Sequence, residues 1–175
     1  GGEIFLGILS GNPKGEPLHD GEVFGIWSYM MSNNGLMSIY QAFINHAGDK
    51  ELKAMLEEAV KGIKDENQQA GEILKVNGIA LPPALPDRPI ATAEEIPVGA
   101  RFMDPEISAI LATNAALGLV ACSQVMGQSI REDIGTMFGH FHMNKALYGA
   151  KLLRLNKEKA WLVPPPLHVS PATQK

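Results

Sequence analysis

The sequence has little cysteine and no excess of positive charge. Cys122 is the one cysteine among 175 residues, so no internal disulfide can form and a reducing compartment is expected. The 15 Lys and Arg residues are scattered along the chain and are outnumbered by 19 Asp and Glu, which gives a net charge of −4. This balance predicts neither a nucleic-acid partner nor a polybasic membrane anchor.

The first residues lack the basic flank of a secretion signal. The apolar run at residues 4–9 follows Glu3 and is far shorter than a membrane span. We therefore expect a cytoplasmic protein without membrane insertion. Residues 1–19 are interpreted as a lead-in segment that docks on the folded domain.

Apolar residues recur at intervals of three and four through most of the chain, which is typical of amphipathic helices. The pattern predicts helices over about 20–46 and 50–77, a third that opens at Asp104-Pro105-Glu106, and a fourth that starts at a capping-box pattern beginning with Ser129. The candidate core residues on the apolar stripes are Trp27, Met37, Leu56, Ile63, Leu117, Phe141, Tyr148 and Leu152.

A proline-rich stretch, residues 79–103, separates the second predicted helix from the third. In an extended conformation it is long enough to run from one end of a helical bundle to the other. Two short turns and one long connection are typical of ferritin-like topology. The sequence thus predicts one all-α domain over 1–175, a ferritin-like antiparallel four-helix bundle with this crossover and an extended tail over 158–175.

A weak internal repeat supports this arrangement. A shift of 82 residues places the second predicted helix on the fourth, with Leu52 on Ile134 and Leu56 on Phe138. The same shift places the prolines at 82 and 83 on those at 164 and 165. The pattern indicates two related hairpins, each followed by an extended proline-rich segment.

A ferritin-like bundle raises the question of a di-iron centre. Such a centre requires a Glu from each of two helices and a Glu-x-x-His from each of the other two. Glu16 and His19 have this spacing but precede the first helix, and the first and third predicted helices lack acids along most of their length. We therefore predict no di-iron centre and no cofactor.

The remaining metal-ligand candidates are His46, Glu66 and His142, which could form a single-metal or ligand site. The alternative is that these histidines are simply hydrogen-bonded or at the surface. Cys122 lies among small residues and is interpreted as a buried residue. The sequence contains no nucleophile elbow, catalytic triad pattern or phosphate-binding loop, so we predict no catalytic residues.

Four asparagines fall between apolar residues at helical spacing: Asn34, Asn67, Asn114 and Asn144. Amides without carboxylates bind hard metals poorly, so mutual hydrogen bonding that fixes helix register is the expected role. These residues are predicted to form a structural polar layer near the middle of the bundle. The alternative is that two or more of them face water.

Several segments resemble known sequences: QSIREDI at 128–134, KEKAWLVPP at 157–165, NHAGD at 45–49, NGIALPP at 77–83 and GARFMDPE at 99–106. Together they resemble the spore coat protein F-like group and a sister family of ferritin-like proteins from endospore-forming bacilli. The resemblance covers nearly the whole chain. One departure is Ala160, where glycine usually precedes the tryptophan.

The resemblance implies the bundle fold and a role in the spore coat or the sporulating cell, without an assigned active site. The expected function is therefore that of a structural or interaction protein without catalytic activity. Its expected partners are other protein chains, through self-association or contacts with coat proteins. The alternative is a ferritin-like protein that binds metal or a small ligand, with redox activity as one option.

Overall fold

The computed structural model describes residues 16–173. Its four α-helices are α1 (Asp20–His46), α2 (Lys50–Val76), α3 (Asp104–Gln128) and α4 (Glu132–Glu158). The prediction of an all-α four-helix bundle is confirmed, and the predicted ends of α1 and α2 agree within one residue. Short 3₁₀ turns lie at Ala93–Glu95, Val98–Ala100 and Pro171–Thr173. Residues 1–15 of the predicted lead-in segment lie outside the described range.

The four helices pack as two hairpins, α1 with α2 and α3 with α4, which meet through α1 against α3 and α2 against α4. His19, at the start of α1, places Nε2 2.9 Å from the carbonyl oxygen of Gln128 at the end of α3. Lys159, just after α4, places Nζ 3.0 Å from Asp49 Oδ2 at the start of α2. Each helix is therefore antiparallel to both of its neighbours.

The connecting segment, residues 77–103, follows the outside of α1. Side chains along α1 hydrogen bond to its backbone: Trp27 to Ala80 O, Asn34 to Pro83 O, Gln41 to Arg88 N, and Asn45 to Pro89 O and Ala91 N. These contacts follow in chain order, so the segment runs parallel to α1. Since α1 has 27 residues and is about 40 Å long, the segment returns the chain to the opposite end of the bundle before α3 begins.

The core consists of two apolar clusters, one toward each end of the bundle. Of the predicted core residues, Leu56, Ile63, Phe141 and Leu152 are buried. Trp27, Met37 and Tyr148 are partly buried and pack against the clusters. The prediction for Leu117 is wrong, because its side chain is 62% exposed. The two hairpins leave a cleft between them at this level, so the apolar stripe of α3 is not covered here.

Reciprocal carboxylate contacts join the hairpins at both ends of the bundle. At one end, Glu22 Oε2 accepts hydrogen bonds from the backbone N–H groups of Ile130 (3.1 Å) and Arg131 (2.9 Å) in the α3–α4 turn. At the other end, Asp104 accepts from Gly48 N (2.9 Å) and Asp49 N (3.0 Å) in the α1–α2 turn. Corresponding positions differ by 82 residue numbers. The repeat seen in the sequence is thus a repeat of specific contacts, which we call the two carboxylate clasps.

The ends of α2 and α4 repeat in the same way. Gly78 and Ala160 have φ angles of 72° and 58°, and they are the residues with positive φ in the described part of the chain. Ile79 N donates to Leu74 O, and Trp161 N donates to Asn156 O. This is the backbone pattern in which a left-handed residue ends a helix. Ala160 thus adopts the same left-handed conformation as Gly78, although alanine is less suited to it than glycine.

The predicted start of the fourth helix is corrected. Ser129 does not form a capping box; its hydroxyl donates to Val125 O (2.7 Å) at the end of α3. The helix starts at Glu132 instead. The turn amides that precede it are bound by Glu22, a residue distant in sequence, so the local pattern was misleading.

Candidate functional site

The predicted asparagine layer is only partly assembled. Asn67 Nδ2 donates to Asn34 Oδ1 across α2 and α1 (2.9 Å). Asn114 is half-buried on α3 and lines the cleft between the hairpins. Asn144 is exposed and lines the cleft, so the predicted four-residue layer does not form. The separated hairpins leave Asn144 without a partner helix at this level.

Glu66, which the sequence suggested only as a metal ligand, lies at the centre of a buried polar network. Glu66 Oε2 accepts from Tyr29 Oη (2.7 Å) and Lys145 Nζ (2.5 Å), and Glu66 Oε1 lies 3.5 Å from Asn33 Nδ2. Asn33 Nδ2 also donates to Asn67 Oδ1 (3.0 Å). The network joins α1, α2 and α4. The sequence feature that could have indicated this network is the position of Glu66 on the apolar stripe of α2, between Ile63 and Ala70.

Lys145 reaches Glu66 by passing close to the backbone of α3. A Cβ atom on Gly118 would lie 2.9 Å from Lys145 Cε and 3.0 Å from Cδ, which is too close for an unshifted side chain. Lys145 Nζ also lies 5.2 Å from the centroid of the Tyr29 ring, within the range of a cation–π contact. Gly118 therefore provides the space through which the ammonium group enters the network.

The phenol and the thiol of this region are both held in their protonated forms. Burial, with the carboxylate of Glu66 next in effect, raises the pKa of Tyr29 far above its ordinary value. Cys122 Sγ lies 3.6 Å from Tyr29 Oη, and burial raises the pKa of the Cys122 thiol. A protonated, buried thiol is a poor nucleophile. The arrangement supports hydrogen bonding within the protein and does not favour covalent catalysis.

A cleft of about 1130 Å³ lies between the two hairpins, beside this network. All four helices contribute to its lining, and Tyr29, Glu66 and Lys145 form part of the wall. Exposed apolar side chains stand at its edge, among them Leu117 and Leu147, which is 59% exposed. The mainly apolar lining with a few polar groups is typical of small-molecule sites.

The three metal-ligand candidates are not brought together. His46 ends α1, where its Nδ1 accepts from Phe102 N (2.9 Å), and Glu66 lies in the network described above. His142 is half-buried on α4. Within residues 16–173, no group of three or more His, Cys, Asp and Glu side chains is placed to hold a metal ion. The hypothesis that His142 joins His46 or Glu66 in a single-metal or ligand site stays a prediction, and the structure shows that His46 and Glu66 have different hydrogen-bond partners.

The helix α3 and the residues before it form the most apolar part of the described chain. By length and composition alone, Val98–Gln128 could cross a membrane, with a mean hydropathy of 1.6 over its most apolar 18 residues. Only 17% of that window is buried. One such helix is weak evidence for a membrane span. The low buried fraction does show that an uncharged face of α3 is left exposed between Glu106 and Arg131.

Comparison with known proteins identifies close relatives. Residues 6–173 match the model of a family described as a protein of unknown function, DUF3231. The uncharacterized protein YvdQ of Bacillus subtilis (strain 168) is 57% identical over 164 residues, which are 94% of this chain and 96% of YvdQ. A crystal structure of a "putative spore coat protein" of Bacillus halodurans C-125 is 57% identical, with a TM-score of 0.89 over 91% of this chain and 100% of that one.

A more distant structure shares the fold alone. A conserved hypothetical protein of Mycobacterium tuberculosis is 9% identical, with a TM-score of 0.61 over 77% of this chain and 96% of that chain. At this identity the likeness concerns the arrangement of the helices and says nothing of the polar network or the cleft.

Proposed function

Because the chain belongs to the DUF3231 family of proteins of unknown function, we propose that it is a spore coat component that acts by binding other protein chains, without catalysis. The observation that carries this proposal is the 57% identity of this chain to the Bacillus halodurans protein described as a "putative spore coat protein", over the whole of that protein's chain. The location that follows from the proposal is the spore coat, or the cytoplasm of the sporulating cell before coat assembly.

The surface of the bundle supports a binding role. Leu117 on α3, with Met143 and Leu147 on α4, exposes large apolar side chains. Exposed apolar groups that cluster on one side of a protein are typical of protein–protein contact surfaces. We call Leu117 and Leu147, which line the cleft, the cleft-edge surface, and we propose it as the contact with coat partners or with a second copy of the chain.

The proposal is tested by placing this chain, with a short C-terminal tag, at the yvdQ locus of Bacillus subtilis. Washed spores are then extracted with detergent and reductant, and the chain is followed by immunoblotting. We expect it in the coat extract and at the spore periphery by fluorescence microscopy. Recovery only from the mother-cell lysate, with none in washed spores, would overturn the proposal.

A matched pair of variants tests the contact surface. Leu117→Glu with Leu147→Glu places charges on the cleft-edge surface, whereas Val76→Glu changes a side chain at the end of α2 that is more exposed than either leucine. The double variant should lose coat association and the control should keep it. Circular dichroism of the purified variants checks that both remain folded. Equal coat association would contradict a role for this surface.

The cleft favours a second candidate function, the binding of a small apolar ligand. Its volume and its wall, in which Tyr29 and Lys145 meet Glu66, are suited to an apolar molecule that carries one hydrogen-bonding group. Ala115→Trp places an indole in the cleft, and Ala109→Trp changes an exposed position of α3 outside it. If the fluorescent apolar probe ANS occupies the cleft, only Ala115→Trp should weaken its binding. Equal binding by both variants would contradict this candidate.

The metal-binding form of this alternative has a separate test. Elemental analysis of protein purified without chelators measures bound metal directly. We expect no stoichiometric iron, because the residues of a di-iron site are not assembled in the described chain. About two irons per chain would overturn that expectation.

A further inference from the structure

The outer faces of α1 and α3 are related by the repeat of 82 residues, but they are not covered alike. On α1, Asn34 and Asn45 are buried and hydrogen bond to the backbone of the connecting segment. The corresponding positions on α3 are Ala116 and Gly127, and both are exposed. Val120, which lies between them on the same face, is 65% exposed. Within residues 16–173, one of two equivalent helix faces is therefore left open.

The counterpart of the connecting segment follows α4. We call residues 161–173 the tail segment; they correspond to residues 79–91, which lie within the connecting segment. The residues that both stretches share, each pair 82 positions apart, are Pro82 and Pro164, Pro83 and Pro165, Leu85 and Leu167, and Pro89 and Pro171. Each stretch also starts directly after a left-handed residue that ends a helix. On the tail segment Val163 is 88% exposed and Leu167 is 78% exposed, so a single chain leaves open both this segment and the outer face of α3.

We propose that the tail segment of one chain lies on the outer face of α3 of a second copy, in a twofold dimer whose two chains exchange tail segments. Because both surfaces are exposed within one chain, a second copy supplies the contact that the repeat places there. Exchange of an identical element is a low-cost route to dimers, and the twofold axis makes the two contacts equivalent. This inference does not rest on the proposed coat function.

The repeat also gives the register of this contact. On α1, Gln41 Nε2 donates to Asp87 Oδ1 of the connecting segment at 2.8 Å. Adding the repeat length to both numbers gives Ser123 on α3 and Val169 on the tail segment. We therefore expect these two side chains to lie side by side, one from each chain.

The two surfaces change character together between the halves. On α1, an indole and amide side chains hold the connecting segment by hydrogen bonds to its backbone. The corresponding α3 positions carry small residues that are exposed: Ala109, Ala116, Ser123 and Gly127. The tail segment is in turn more apolar, with Leu162 in place of Ala80 and Val169 in place of Asp87. Small helix residues leave room for these larger side chains, and transfer of their apolar surface from water is favourable.

The dimensions of the two surfaces also match. The stretch of α3 from Ala109 to Gly127 is about 27 Å long, and residues 162–173 span about 37 Å when extended. A strip of that helix length and about 10 Å wide, covered once on each chain, buries about 1,100 Å² when helix and tail surfaces are both counted. Specific interfaces bury at least about 1,000 Å². The contact is near that lower limit, so dilution should dissociate the dimer.

Disulfide trapping tests the exchange and its register in the full chain with Cys122→Ala. One variant carries Ser123→Cys with Val169→Cys, and its matched control carries Gln124→Cys, at the next residue on α3 and on the cleft wall, with Val169→Cys. Because disulfide geometry is strict, the 123–169 pair should form a covalent dimer about tenfold faster than the 124–169 pair. Equal rates, or a disulfide within one chain, would overturn the proposal.

Sedimentation equilibrium gives a second measurement that does not depend on engineered cysteines. The unmodified chain should show twice its mass of 18.9 kDa at high concentration. Val120→Glu on the face of α3 and Leu167→Glu on the tail segment should each give the monomer mass, because a charge on either surface disrupts both equivalent contacts. The control Leu147→Glu changes a side chain that is 59% exposed at the cleft edge and should remain dimeric.

Circular dichroism confirms that each variant is folded before its mass is compared. A monomeric unmodified chain would overturn the proposal, as would a dimeric Val120→Glu or Leu167→Glu variant. Loss of the dimer in Leu147→Glu would assign the contact to the cleft-edge surface and would also overturn it.

Discussion

The two carboxylate clasps predict a measurable difference between otherwise similar substitutions. Glu22 is 1% exposed, and its carboxylate accepts from three backbone N–H groups: His19 N at 3.0 Å, Ile130 N at 3.1 Å and Arg131 N at 2.9 Å. In Glu22→Gln a single oxygen remains as acceptor, and the new NH₂ group faces at least one N–H donor. At least one charge-assisted hydrogen bond is lost, and each contributes about 1.5–3 kcal/mol.

We therefore expect Glu22→Gln to lower the free energy of unfolding by about 2–3 kcal/mol. For a chain of this length that corresponds to a decrease in Tm of roughly 4–12 °C. The matched control is Asp104→Asn, which accepts from only two amides at a more exposed turn and should cost about 1 kcal/mol. Urea unfolding followed by circular dichroism at both positions measures the difference. A loss below about 0.5 kcal/mol for Glu22→Gln, or a larger loss for Asp104→Asn, would refute the reasoning.

Three further predictions concern the helix ends and the core. Ala160→Gly should raise the free energy of unfolding by about 1 kcal/mol, because Ala160 has a φ of 58°; a loss of stability in urea unfolding would contradict this. Phe141→Ala should cost roughly 3–5 kcal/mol, whereas the exposed Leu117→Ala should cost less than about 0.5 kcal/mol, and similar losses would show that the two sites are not distinguished by burial. Burial, and then the charge of Arg101, lowers the pKa of His46 from 6.5. The stability that the neutral ring contributes is therefore complete above pH 6.5 and is lost as the pH falls through the lower pKa of the folded state. His46→Gln should reduce this loss of stability at acid pH, and an identical pH dependence of unfolding would argue against it.

Much of the fold could be predicted because its signals are local. The 3.6-residue periodicity gave the bounds of α1 and α2. Ser129 shows the limit of such signals. It had the sequence of a helix cap, but the turn amides are satisfied by Glu22, more than a hundred residues away, and no local pattern reports that contact.

The polar network was predicted less well because its assembly depends on the spacing between helices. The periodicity placed Asn34 and Asn67 inward, and they do hydrogen bond to each other. It placed Asn144 and Leu117 inward as well, although the hairpins separate at their level and leave both exposed. Helical phase determines which face a residue occupies, but only the packed structure determines whether another helix covers that face.

The carboxylate clasps also have a consequence for how the bundle comes apart. Each clasp joins the first helix of one hairpin to the turn of the other, and the two clasps lie at opposite ends. The hairpins can separate only when the clasps at both extremities are broken, because either clasp alone still joins them. The amides of Gly48 and Arg131 should then exchange with solvent in one cooperative opening rather than in two independent ones. We therefore expect the bundle to behave as a single folding unit, because each hairpin completes the turn of its partner.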